Sequence, residues 1–107
     1  MSVTAITSVP QYKEITGGVT PVAVFFSSEK VQSCKPIAQL LEEKTKGLSS
    51  QFYKVDIDAQ DKVAKEAGIG IRDVPTIVIY RYNQKLGECT GTDPQNVDRA
   101  ITSVTSS

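Results

Sequence analysis

The hydrophobic pattern of the chain is organised around a continuous apolar run, Val22-Ala23-Val24-Phe25-Phe26. A short run of this kind, rich in β-branched and aromatic residues, fits a strand covered on both faces. Two small polar residues follow, Ser27 and Ser28, and then Cys34 at the start of a helical pattern. Strand, loop, cysteine and helix in that order place a thiol at a helix N-terminus, where the dipole favours a thiolate. A dithiol would need a second sulfur three residues earlier, and that position is Val31.

Read in order, the chain opens with a short β-like run, Val3 to Ile6. Ser8 is an N-cap candidate, with Pro10 in the first turn, Tyr12 and Ile15 on one face, and Gly17-Gly18 closing the helix. After the strand at Val22 to Phe26, apolar residues at Cys34, Ile37, Ala38, Leu40 and Leu41 recur at spacings of three and four and predict an amphipathic helix. Lys44, Lys46 and Gly47 end it, and Pro36 falls where a first turn tolerates it. Phe52 to Ile57 alternates and predicts a second core strand. Val63, Ala64 and Ala67 predict a short helix that Gly68 stops, and a loop runs from Gly70 to Thr76. Ile77 to Tyr82 predicts a strand, Asn83-Gln84 a tight turn, and Leu86 to Thr90 the returning strand of a hairpin. Asp93 followed by Pro94 reads as an N-cap and first helical position, opening a last helix through Val97, Ala100, Ile101 and Val104. The tail, Thr105 to Ser107, is expected to fray. The order β-α-β-α-β-α-β-β-α predicts an α/β fold in which a mixed sheet carries helices on both faces. No repeat or linker is visible, and residues 1–107 are expected to form a single domain.

Composition narrows the function. Lys plus Arg and Asp plus Glu are 12 each, and no basic block is present, which argues against nucleic acid or an anionic membrane as partner. No apolar segment approaches a membrane span of roughly 20 residues. The first residues, MSVTAITSVPQYK, carry neither a basic stretch nor a long apolar one, so no signal peptide is read and a cytoplasmic setting with reduced thiols is expected. Two cysteines make no multi-disulfide framework, and the chain lacks histidine, the commonest general base and metal ligand. No metal and no cofactor are expected.

Several segments, in this order and spacing, resemble the thioredoxin family over nearly the whole chain, and small fungal or other eukaryotic cytosolic members most. They are Val24-Phe25-Phe26, Cys34-Lys35-Pro36-Ile37-Ala38, Phe52 to Asp58, Ala67-Gly68-Ile69, Val74-Pro75-Thr76, and Gly91 followed by Asp93-Pro94. The resemblance implies the thioredoxin fold and a cis Val74–Pro75 peptide bond. It also implies a groove for an extended peptide at Val74, Pro75, Val31, Gln32, Ile57, Thr90 and Gly91, in which the residue before the proline pairs with the peptide as a strand would.

The departures from the family pattern bear on chemistry. The family's active stretch is Trp-Cys-Gly-Pro-Cys-Lys, and the same positions here are Lys30, Val31, Gln32, Ser33, Cys34 and Lys35. The resemblance therefore puts Val31 in place of the nucleophile, Lys30 in place of the aromatic lid, and Phe25 in place of a buried acid that accepts the resolving thiol's proton. Cys34 alone remains. Disulfide exchange requires attack by a first thiolate and release by a second, so a conventional reductase lacks its first step here.

Each feature also has a bland reading. Cys34 either packs as a small apolar residue or acts as a monothiol. Lys30 and Lys35 either lower its pKa or are solvated charges. Phe25 fills core, Cys89 sits in the last strand with no required role or pairs between molecules, and Lys54 and Asp58 read as surface charges. Three functions remain open: a binding module with a protein or peptide partner in the groove; a monothiol redox protein or sensor using Cys34, with glutathione as a further partner; and a conventional thioredoxin whose missing thiol comes from another protein or was removed by engineering. Simultaneous loss at Lys30, Val31 and Phe25 argues against engineering.

Overall fold

A computed structural model describes residues 3–48 and 51–105. Its elements run β1 (Thr4–Ala5), α1 (Val9–Thr16), β2 (Val22–Ser27), α2 (Cys34–Lys44), β3 (Phe52–Asp56), α3 (Asp61–Ala67), β4 (Thr76–Arg81), β5 (Gln84–Thr90) and α4 (Gln95–Thr105). The strands form one sheet in the order β1-β3-β2-β4-β5. β2 is central, parallel to β3 and antiparallel to β4. The sheet is therefore mixed, and this is the thioredoxin fold.

The apolar run of β2 is continuous because both its faces are covered. Val22, Val24 and Phe26 join the cluster that holds Tyr12 of α1 and Val63 and Ala64 of α3. Ala23 and Phe25 join the cluster that holds Ile37 and Leu41 of α2 and Val97, Ala100 and Val104 of α4. β4 divides the same way, Val78 and Tyr80 to the first cluster and Ile77 and Ile79 to the second. Alternation along a strand sends successive side chains to opposite faces, so two apolar layers require two apolar registers.

Caps and turns fix the boundaries. The Ser8 hydroxyl accepts from Gln11 N at 3.2 Å and starts α1. Gly68 ends α3 at φ +74°, a left-handed conformation that side chains with a Cβ disfavour. Asp93 caps α4 by accepting from Gln95 N at 2.9 Å. The hairpin turn lies one residue earlier than the pattern predicts. Tyr82 and Asn83 occupy it at φ 55° and 61°, and Gln84 already pairs with Arg81. Backbone bonds from Tyr82 N to Gly18 O (3.0 Å) and from Asn83 N to Thr16 O (2.8 Å) hold this left-handed pair against the end of α1. The contact is close: a Cβ on Gly17 would come within 3.0 Å of the Asn83 amide. β3 stops at Asp56, leaving Ile57 buried just beyond it. Thr105 is the last residue of α4, while Ser106 and Ser107 of the expected frayed tail lie outside the described residues.

Candidate functional site

The C-terminal end of β2 turns into α2 through a short tightly bonded segment. The Ser28 hydroxyl accepts from Lys30 N at 3.1 Å, and Ser28 O accepts from Val31 N at 3.1 Å. Two further turns follow, Cys34 N to Val31 O (3.0 Å) and Lys35 N to Gln32 O (3.1 Å). Cys34 is the first residue of α2, so Val31 lies in the turn ahead of the helix rather than in it. Lys30, Gln32 and Ser33 are exposed, and Val31 is half-buried. Cys34 is only 3% exposed, which puts its sulfur among the core side chains.

Tertiary structure brings part of the expected set together. Cys34, Ile57 and Val74 belong to one apolar cluster, and Val31 packs against it. Phe25 belongs to the other cluster, beneath α2 and α4, with Ile37 and Leu41. It is 2% exposed and fills core. A cavity of about 850 Å³ opens beside the turn, lined by Ser28, Val31, Gln32, Cys34, Lys35 and Gln39 among others. Ile57, Val74, Pro75, Thr90 and Gly91 are not part of its wall. They lie in a neighbouring corner. There the Val74–Pro75 peptide bond is cis, Pro75 O accepts from Gly91 N at 2.9 Å, and the hydroxyls of Thr76 and Thr90 are 2.7 Å apart. Val74 has a buried side chain, yet among the described residues neither its N–H nor its C=O makes a hydrogen bond.

Two features escape a reading of the sequence. Asp58 is an exposed residue, as a surface charge would be, but its carboxylate accepts from the buried Ser28 hydroxyl at 2.5 Å and braces the turn before Lys30. Nothing in the sequence links residues thirty positions apart. The second is a buried tyrosine pair, Tyr12 and Tyr80, joined through their hydroxyls at 2.7 Å. Lys54 is half-buried in β3, opposite Phe25 in register.

Both cysteines are free, Cys34 buried and Cys89 half-buried in the edge strand β5. Dithiothreitol is therefore expected to leave the melting temperature unchanged. A bridge closing the 34–89 loop would contribute about 4 kcal/mol, so a drop of many degrees on reduction, seen by circular dichroism, would contradict this assignment. Among the described residues, no group of cysteine, aspartate and glutamate could hold a metal ion, and no helix is long and apolar enough to cross a membrane.

The sheet order, the cis-proline corner and a single cysteine opening α2 define a thioredoxin-fold protein. A family model described as Thioredoxin matches residues 3–103. A thioredoxin of Malassezia sympodialis is 36% identical over 103 residues, covering 94% of this chain and 96% of that one. One from Aspergillus fumigatus is 32% identical, covering 94% and 93%. The crystal structure of Malassezia sympodialis thioredoxin superposes with a TM-score of 0.86 at 34% identity, covering 95% of this chain and 90% of the other. The chain belongs to the thioredoxin family.

Proposed function

We propose that this member of the family is a protein-binding module that does not turn over disulfides. The observation that carries the reading is Val31. An apolar side chain stands at the position the family resemblance gives to the attacking thiol, and it packs against the cluster that holds Cys34, Ile57 and Val74. Without a thiolate at that position the family's exchange reaction lacks its first attack. The same side chain adds apolar surface to the cluster that Val74 joins, and the Val74 backbone is unpaired among the described residues. An extended peptide laid across Val74, Pro75, Thr90 and Gly91 would satisfy that backbone as an added strand does, while Val31 and Ile57 receive its side chains. The partner on this reading is a protein or peptide, and the module is a single domain working in the cytoplasm with both thiols reduced.

The second reading is a monothiol redox protein acting through Cys34, with glutathione as its co-substrate. In its favour, Cys34 and Lys35 share a cavity large enough for a small thiol. Against it, Cys34 is 3% exposed, and exchange requires attacker and target sulfur to meet.

Three measurements separate the readings. Reduction of insulin by dithiothreitol should proceed no faster with the protein than without it; turnover near that of an ordinary thioredoxin would end the binding-module reading. A phage-displayed random-peptide library panned on the immobilised protein should yield ligands that a Val31→Glu variant loses, and failure to enrich any peptide counts against the binding module. Alkylation of Cys34 across pH, with Cys89→Ser to remove the other signal, should be slow throughout. Fast alkylation at neutral pH would favour the monothiol.

A further inference from the structure

The segment that carries Val31 from β2 to α2 is fastened to the rest of the fold at one polar point. Ser33, the cap position of α2, makes no side-chain bond to the helix start. The backbone turns closed by Val31 N, Cys34 N and Lys35 N fold the segment on itself and onto the first residues of α2. Among the described residues, the only hydrogen bond from residues 28–33 to any other part of the fold runs from the Ser28 hydroxyl to Asp58.

Both ends of that bond are themselves held. The Ser28 oxygen accepts from Lys30 N at 3.1 Å while its proton goes to Asp58, so one buried hydroxyl joins the turn to the loop after β3. On the other side, the Asp56 carboxylate accepts from Asp58 N (2.9 Å) and Ala59 N (3.3 Å) and shapes that loop. Asp56 is the register partner of Ser27, and Ile57 N donates to Ser27 O at 2.9 Å. An ionised acceptor holds a hydroxyl more tightly than a neutral one. Beyond the serine, Val31 packs against the cluster that holds Cys34, and Val31 O accepts from Cys34 N. The turn therefore cannot lift without disturbing the residue that carries the buried thiol.

We propose that the Ser28–Asp58 bond is a latch that holds the Val31 turn on the sheet and sets how often Cys34 opens to solvent. Local openings cost less than global unfolding, and a segment with one polar tie opens when that tie breaks. The latch concerns access to the site and rests on neither reading of its function.

The test is the rate of Cys34 alkylation by iodoacetamide at fixed pH, with Cys89→Ser in every protein. Ser28→Ala and Asp58→Ala should each raise the rate about tenfold, the weight of one charge-assisted hydrogen bond in an opening equilibrium. Both remove the same bond, so the double variant should be no faster than Ser28→Ala alone. Asp58→Asn keeps an acceptor oxygen and should stay within about threefold of the unchanged rate. Val104→Ala, which lowers stability from the core cluster on the other face of the sheet, should leave the rate within about twofold. Unchanged rates in the two alanine variants would overturn the latch, and so would effects that multiply in the double variant. An equal rise in Val104→Ala would overturn it too, because stability alone would then account for the effect. The absolute rate in the unchanged protein bears on the monothiol reading and the ratios bear on the latch, so the two fail separately.

Discussion

Val31→Cys is expected to give this protein a disulfide it cannot now form, closing between positions 31 and 34 under mild oxidant. The turn before α2 already supplies the geometry. The bond from Cys34 N to Val31 O closes a four-residue turn, which holds the two Cα atoms within about 7 Å, inside the range a disulfide spans. Insulin reduction should rise from background to a measurable rate, because the attack step then has its thiolate. The rate should stay below that of an ordinary thioredoxin. Phe25 cannot accept a proton from Cys34, and positioned acid–base help contributes about 10²–10⁴-fold. Thiol counting and insulin turnover on the variant decide the matter. If mild oxidant leaves both thiols free, then Val31 does not face Cys34 across the turn and the proposed function loses its main support.

Phe25→Asp is expected to cost more stability than any other single change considered for this site. Phe25 is 2% exposed and packs with Ile37, Leu41, Ile77 and Val97. Loss of the ring alone costs about 3–5 kcal/mol, against a total stability of roughly 5–15 kcal/mol for a domain of this size. The carboxylate adds a desolvation penalty, which its register partner Lys54 offsets only as far as the ammonium can reach it. The sign with pH follows from burial. A buried carboxyl has its folded pKa raised above the unfolded value of about 3.9, so the folded state binds more protons and the variant loses stability as pH rises from about 4 to 7. Urea midpoints of Phe25→Asp and Phe25→Ala should therefore converge toward pH 4 and separate at pH 7. A midpoint at pH 7 equal to that of the unchanged protein would show that position 25 is not the core position assigned to it. Combined with Val31→Cys, the change should raise the insulin rate further while lowering stability.

These two substitutions bear on different halves of the family's chemistry, and the structure separates them physically. Val31 acts from a turn whose backbone is fixed by its own hydrogen bonds and by the brace from Ser28 to Asp58. Phe25 acts from the central strand of the sheet, buried on both faces, where any polar replacement must be desolvated. Restoring the thiol should therefore be nearly free in stability, and restoring the acid should not.

The linear sequence is sufficient for what depends on local order. The apolar run at Val22 to Phe26, the Ser8 and Asp93 caps, and the Gly68 stop each act through neighbours a few residues away, so their signals survive without a partner chain segment. The missing sulfur at Val31 is equally local, since a dithiol turn is defined by its own spacing. The hairpin turn is where local reading slipped by one residue. Tyr82 and Asn83 are not a glycine-containing pair, and bonds to Gly18 and Thr16 hold their left-handed conformation.

Tertiary structure alone decided the rest. Which apolar layer receives Cys34 and which receives Phe25 depends on how α2 crosses the sheet, and burial of the Cys34 sulfur follows from that crossing. The tie from Ser28 to Asp58 and the pairing of Tyr12 with Tyr80 join residues 30 and 68 positions apart. Contacts of that length carry no local periodicity, because they exist only once the sheet order has placed β2 between β3 and β4 and α1 against the face that Tyr80 shares.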